Sequence, residues 1–302
     1  MKAIRIHEYG PPEVMALEEA PDPTPEPGEI VIAVEAAGVN PADYKFRNGS
    51  LAAFFPKQMP YVPGMDVAGR VIELGEGVTG FDVGDRVFGM MPRGGKGGYA
   101  ERAAGLAEWF APIPEGMDAI IAASLPCPAS TAIQQIEDGL DVQPGQRVLV
   151  TGATGACGLI ACYAAKRRGA HVTAAVRKKY RDRVRHADDV LILDADAPIA
   201  AAPFDAICDS VGGSTAHRLL TLLKPGGVLS SIATDPIPEP SPSDVTVRHF
   251  GVEPDAARLA QFAREMAAGA TEAPAIETLP LAAAAEAHRR LEAGGAPKLV
   301  LI

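Results

Sequence analysis

Arg147 to Gly158, R-V-L-V-T-G-A-T-G-A-C-G, constrains the fold more than any other stretch of this chain. An apolar run, Val148–Val150, breaks into a turn punctuated by Gly152, Gly155 and Gly158. A helix-compatible segment, L-I-A-C-Y-A-A-K-R-R, follows and ends at Gly169. Strand, tight turn and helix in that order form the entry of a dinucleotide-binding unit. Its glycines let the backbone approach a pyrophosphate, and the helix N-terminus offers free N–H groups and the positive end of a dipole. The candidate contacts are Gly152, Ala153, Thr154, Gly155, Ala156, Cys157 and Gly158. Glycine triplets also serve ordinary strand-to-helix turns, so the flanking sequence has to decide between a nucleotide site and a structural turn.

The flanks have two textures. From about Asp118, alanine-rich helical patterns (Ala119–Ala123, Ala129–Gly139) lead into strand candidates alternating with helices. The strands are Arg147–Thr151, His171–Val176, Val190–Leu193, Asp205–Cys208, Val228–Ile232 and Val245–Phe250. That alternation predicts an α/β fold with a doubly wound parallel sheet. Residues 1–120 read instead as β structure, with short Val- and Ile-rich runs at Ala3–His7, Ile30–Ala37, Val67–Leu74, Arg86–Gly89 and Tyr99–Ala104. Turn clusters P-D-P-T-P-E-P-G, G-E-G-V-T-G and R-G-G-K-G-G separate them, as in a small barrel or sandwich. A proline-rich linker, Pro236–Pro242, closes the alternating part. Helices are expected over Asp255–Gly269 and Leu281–Ala293, and a last strand over Lys298–Ile302. The segment 247–302 is short for a core of its own and is expected to rejoin the first domain. The expected division is therefore 1–120, an inserted nucleotide-binding domain at 121–246, and a return at 247–302.

The chain carries 28 Lys and Arg against 38 Asp and Glu, a formal charge of −10. That balance argues against nucleic acid or an anionic membrane surface as partner, which would call for a basic stripe. No apolar run approaches the roughly 20 residues that span a bilayer. The N-terminus lacks the apolar core of a signal peptide, so a cytoplasmic location is expected. Cys127, Cys157, Cys162 and Cys208 form no C-x-x-C pair and read as reduced core thiols, and the six histidines are scattered. No metal site is expected.

The strand His171–Val176 should end beside an adenosine ribose. An NAD site would place an Asp or Glu there to accept from the 2′-hydroxyl. The sequence is V-R-K-K-Y-R, and no acidic residue occurs from Leu159 through Arg181. Arg177, Lys178 and Lys179 supply cations where a 2′-phosphate would sit, which favours NADP(H). A solvated basic turn is the alternative.

Motifs along the whole chain resemble one family. They are M-K-A-I-R-I-H-E-Y-G-P-P-E-V at the start, A-A-G-V-N-P-A-D-Y-K-F-R-N-G at 36–49 and P-G-M-D-V-A-G-R-V at 63–71. V-G-D-R-V at 83–87, G-G-Y-A-E at 97–101, L-K-P-G-G at 223–227 and A-A-E-A-H-R-R-L at 284–291 complete the set. The ordered set resembles the zinc-free quinone oxidoreductase (ζ-crystallin-like) branch of the medium-chain dehydrogenase/reductase superfamily. The resemblance implies a Rossmann domain inserted into a GroES-like β-barrel catalytic domain, NADP(H) as cofactor, and a homodimer formed through the last Rossmann strand. It also implies hydride transfer to a small-molecule quinone or other α,β-unsaturated carbonyl. An enoyl-thioester or pathway-specific enone reductase shares the architecture, and an NADPH-binding protein without turnover is the alternative of another class.

Zinc-dependent relatives place Cys and His at the positions of Asn40 and Met65. Neither is a plausible replacement for a thiolate or an imidazole at zinc. The resemblance places Asn40, Asp43, Tyr44 and Lys45 along the substrate side, with Lys45 standing where relatives often have a Tyr. Asn40 is expected to donate to substrate or brace the nicotinamide, with Lys45 or Tyr44 as electrophile or proton donor. Asp66 is expected to be structural. On the cofactor side the resemblance places Ser130 and Thr131 with Ala132, then Ser210, Val211 and Gly212, and Lys298 near the phosphates, although Pro297 replaces the family glycine. Two departures stand out. Ala156 and Cys157 replace Gly and Val in the glycine turn, and the chain is shorter than its relatives around 178–190 and 233–250.

Overall fold

A computed structural model describes residues 1–91, 96–194, 199, 202–239 and 241–302. Arg93–Gly95 of the R-G-G-K-G-G cluster and Pro240 of the proline-rich linker lie outside the described residues. The chain divides into two compact units, Met1–Cys127 with Pro254–Ile302, and Pro128–Glu253. The sequence texture put the changes at 121 and 247.

In the first unit, β1 (Lys2–Ile6) pairs antiparallel with β2 (Met15–Glu19), Ile4 facing Leu17. The sequence reading missed β2, because M-A-L-E-E has few residues that favour a strand. The strands β3 (Glu29–Gly38), β4 (Asp66–Leu74), β5 (Arg86–Met90), β6 (Arg102–Leu106) and β7 (Phe110–Pro112) follow, with helices α1 (Pro41–Arg47) and α2 (Ala119–Ala123). β6 starts later than expected. The backbone at Tyr99 is engaged by two separate segments, Ile4 N donating to its carbonyl and its own N–H donating to Pro63 O, so no continuous ladder forms there.

Next come α3 (Pro126–Gln134), which widens into a π-turn over Gln135–Gly139, then β8 (Arg147–Thr151), α4 (Ala156–Arg167) and β9 (His171–Val176). They are followed by β10 (Asp189–Ile192), β11 (Phe204–Asp209), α5 (Gly213–Leu219), β12 (Leu223–Ser231) and β13 (Thr246–His249). The chain closes with α6 (Ala256–Ala267), β14 (Ile276–Leu279), α7 (Ala284–Ala293) and β15 (Lys298–Leu301). The sequence reading passed over α1 and β14.

The second unit holds a six-stranded parallel sheet in the order β10-β9-β8-β11-β12-β13. This is a doubly wound Rossmann sheet. Its strand order reverses between β8 and β11, and such folds bind ligands outside the carboxyl ends of those strands. Leu149, Phe204, Ile207, Leu219 and Leu229 form its buried core. Each such side chain contributes roughly 1.5–3 kcal/mol when fully removed from water.

The first unit holds a seven-stranded sheet running β14-β15-β3-β4-β5-β7, with β6 on β3. The C-terminal segment does rejoin it. Val300 pairs with Gly38 and Leu301 with Ala37, and Leu299 and Leu301 pack with Ile4, Val39 and Tyr99. The architecture is a GroES-like domain with a Rossmann domain inserted.

Candidate functional site

At the carboxyl end of β8, Gly152 takes a left-handed φ of +59°, and a Cβ on it would lie 2.5 Å from Ser210 Oγ. Gly158, in the first turn of α4, has no room either, since a Cβ there would lie 2.2 Å from Gly152 O. Helix and strand therefore pack backbone on backbone. Gly155 is different, because it N-caps α4 and an added Cβ would meet nothing nearer than Gly152 O at 3.3 Å. Among the described residues no side chain caps this helix. An uncapped N-terminus behind a glycine turn is the geometry that accepts an anion. Ala156 is the first helical residue, where a methyl is well tolerated. Ala153 is buried, Thr154 and Cys157 half-buried.

At the carboxyl end of β11 the structure shows a cluster that the sequence reading missed. Asp209 is fully buried and accepts four hydrogen bonds. They come from Thr151 Oγ1 (2.8 Å), Ser231 Oγ (2.6 Å), Val211 N (3.2 Å) and Gly212 N (3.0 Å). A carboxylate so supplied with donors is stable in the interior without a cation. It joins the ends of β8, β11 and β12 and shapes the turn Ser210–Gly212, in which Gly212 has φ +73°. Ser210 completes the link, its N–H donating to Thr151 Oγ1 (2.9 Å) and its Oγ to Thr151 O (3.1 Å). Residues 152 and 210–212, separate in sequence, thus share one rim. Thr131 is buried on α3, and its neighbour Ser130 has a buried Oγ without a hydrogen-bond partner among the described residues.

After β9, Arg177 leads into a 3₁₀ turn, Lys178–Arg183. Arg177 and Lys178 are exposed. The Lys178 N–H donates to Asp194 Oδ1 at 3.2 Å.

In the other unit, Asn40 and Pro41 start α1, and the Asn40 N–H donates to Asp43 Oδ2 at 2.8 Å. The Asn40 carboxamide is buried and held at both ends. Its Oδ1 accepts from Lys298 Nζ at 2.6 Å, and its Nδ2 donates to Asp66 Oδ2 at 2.8 Å. Lys298 also donates to Val39 O (3.2 Å) and pairs with Asp66 (3.1 Å). Its ammonium, expected near the phosphates, is thus engaged by three acceptors within its own unit. Asp66, expected to be structural, accepts with its other oxygen from Cys127 N at 2.7 Å.

Around Asp43 the polar network continues inward. Its oxygens also accept from Met65 N (3.1 Å) and Tyr99 OH (3.2 Å). Tyr99 OH lies 3.4 Å from His288 Nε2, and Arg47 Nη1 lies 3.5 Å from His288 Nδ1. Burial, aided by the charge of Asp66, pushes the Asp43 carboxyl up to about 7. Burial also raises Asp66, against the pull of Lys298. His288 is pushed down to about 3, by burial first and the Arg47 charge second. Tyr44 and Lys45 are half-buried on α1, the Lys45 ammonium lying 6.0 Å from the Tyr44 ring centre.

Chemically, the first unit offers a buried carboxamide of fixed orientation. The second offers an anion-accepting glycine turn with cations at the neighbouring strand end. Among the described residues no group of three or more His, Cys, Asp or Glu is placed to hold a metal ion, and no helix is long and apolar enough to cross a membrane.

Residues 26–115 match the alcohol dehydrogenase GroES-like domain family, and residues 183–301 match the zinc-binding dehydrogenase family. A quinone oxidoreductase of Lama guanicoe is 30% identical over 325 residues, covering 100% of this chain and 97% of the relative. Among solved structures, the quinone oxidoreductase of Coxiella burnetii superposes with a TM-score of 0.87 at 27% identity, over 100% of this chain and 98% of the other. A mycobacterial protein solved in complex with NADPH gives a TM-score of 0.86 at 29% identity, with both chains fully covered. End-to-end identity, the split GroES-like unit and the inserted parallel sheet agree, and the chain belongs to the quinone oxidoreductase branch of the medium-chain dehydrogenase/reductase superfamily, a branch of oxidoreductase enzymes.

Proposed function

We propose that this enzyme, placed in the cytoplasm, transfers a hydride from NADPH to a quinone or another α,β-unsaturated carbonyl, without a metal. The observation that carries the cofactor half is the cation-rich end of β9, whose own sequence carries no acid through Arg181, with the uncapped start of α4. Gly152–Gly158 would hold the pyrophosphate, and Arg177 and Lys178 the 2′-phosphate. Thr131 and Ser210–Gly212 would approach the nicotinamide ribose. A bound nicotinamide supplies the hydride.

Asn40 is the proposed donor to the substrate oxygen, where negative charge grows as the hydride arrives. An electron-poor acceptor needs no stronger polarisation than such a hydrogen bond. Asp66 and Lys298 hold the carboxamide so that nitrogen and oxygen cannot exchange places, and that is the role proposed for Lys298 in place of a phosphate contact. Tyr44 or Lys45 is the proposed proton source. The names of the relatives support the quinone as acceptor.

A turnover screen following NADPH absorbance against quinones, enones and enoyl thioesters, with and without chelator, tests the reading. Oxidation by quinones, undiminished by chelator, is the expected result. Turnover confined to enoyl thioesters would move the enzyme to the enoyl reductases, and NADPH binding without any oxidation would leave a binding protein.

A further inference from the structure

The turn that follows β9 is at odds with the rest of its chain. The formal charge is −10, yet R-K-K-Y-R-D-R-V-R, residues 177–185, holds six cations and one acid. Many cations elsewhere sit on carboxylates, as Arg5 on Glu18, Lys166 on Asp188 and Arg290 on Glu277. Among the described residues, Arg177, Lys178, Lys179, Arg181 and Arg183 have no carboxylate at ion-pair distance. Three of them converge on the ring of Tyr180 instead. Arg177, Lys179 and Arg183 lie 5.0, 4.9 and 5.3 Å from its centre, and Arg177 Nη2 donates to Tyr180 OH at 3.3 Å. The Lys179 hydrogen bond, then the charges of Lys179, Arg177 and Arg183, hold the phenol below its usual range. Among the described residues, the turn itself carries Asp182, and Asp194 takes the Lys178 backbone N–H.

Three like charges around one ring repel each other. The negative face of the ring offsets part of that repulsion, and a multiply charged anion would offset more while gaining several charge-assisted hydrogen bonds. We propose that Tyr180 gathers Arg177, Lys179 and Arg183 into a single site for a phosphomonoester. Tyr180, more than any one cation, then sets the preference for a 2′-phosphorylated adenine nucleotide. The inference rests on the NADPH reading and extends it to residues that the strand-end argument did not include. A lone basic turn needs no aromatic hub; a preorganised site does, because cations held together in advance lose less freedom on binding.

Titration with adenosine 2′,5′-bisphosphate and with adenosine 5′-monophosphate reads the site without turnover. Charge-assisted contacts to the extra phosphate predict a wild-type preference for the bisphosphate of about tenfold or more. Tyr180→Ala should lower that preference at least fivefold with monophosphate affinity unchanged, and Tyr180→Phe, which keeps the ring, should retain most of it. Full preference in Tyr180→Ala, with Arg177→Ala losing it, would overturn the inference and leave the NADPH reading standing. No wild-type preference would overturn both. Should Tyr180→Ala fail to fold, a Tyr180→Phe preference as low as that of Arg177→Ala overturns the ring's role.

Discussion

His288 shows how one buried side chain gets its proton assignment from its neighbours. Arg47 can only donate, so His288 Nδ1 accepts from it. Nε2 then carries the ring proton toward the Tyr99 oxygen, and the Tyr99 hydroxyl donates to Asp43. The ring is neutral in the fold down to about pH 3, whereas an unfolded histidine takes a proton near pH 6.5. Between those values the unfolded chain binds more protons, so this residue's contribution is full above about pH 6.5 and is lost as pH falls. Asp43 works in the opposite sense. It keeps its proton in the fold up to about 7, while an unfolded carboxyl releases it near 4, so its contribution is lost as pH rises through that window. His288→Gln should therefore remove the acid-sensitive component alone. The stability gap between wild type and variant, from urea midpoints, should be about 2 kcal/mol larger at pH 6.5 than at pH 4.5. Equal gaps would show that His288 titrates normally in the fold. Asn40 was legible in the sequence as a candidate through N-P and the family motif. Its partners were not, since Lys298 lies 258 positions away and Asp66 lies 26 away.

At the scale of elements, the glycine turn was the most legible part of the chain, because its requirements are local. The steric accounts of Gly158 and Gly155 separate two roles that the spacing alone leaves merged. Gly158→Ala puts a methyl carbon 2.2 Å from a backbone oxygen that cannot swing aside, whereas Gly155→Ala meets nothing nearer than 3.3 Å. The first should destabilise the fold by about 1–3 kcal/mol, as overpacking does, and weaken nucleotide binding with it. The second, at an N-cap where glycine is preferred to alanine and with one contact that must give slightly, should cost less, under about 1 kcal/mol. Thermal melts of the two variants check this, and comparable losses in both would contradict the backbone-on-backbone account. Asp209 was missed for the complementary reason. D-S-V-G-G after an apolar run resembles many strand ends, and its function as a junction appears only when Thr151 and Ser231 are brought to the same carboxylate.

For the whole molecule, the outer strand β13 raises the question of assembly. It is the proposed dimer strand, but it is less apolar than expected, with Thr246, Arg248 and His249 exposed and Val247 half-buried. Backbone pairing, more than a greasy face, would have to join two copies, since an unpaired edge invites a strand. Light scattering on the purified protein should return the mass of a dimer, and a monomer at micromolar concentration would remove that proposal. The sequence by itself determined the alternation of strands and helices, the insertion of one domain into another, the glycine turn and the acid-free end of β9. Each is a matter of local pattern, periodicity or the conformational needs of single residues. Only the tertiary structure decided that Lys298 grips Asn40 and Asp66, that Asp209 ties three strand ends together, and that three cations share the ring of Tyr180. The first two join side chains far apart in the chain, and the third depends on how one short turn closes, so neither composition nor spacing encodes them.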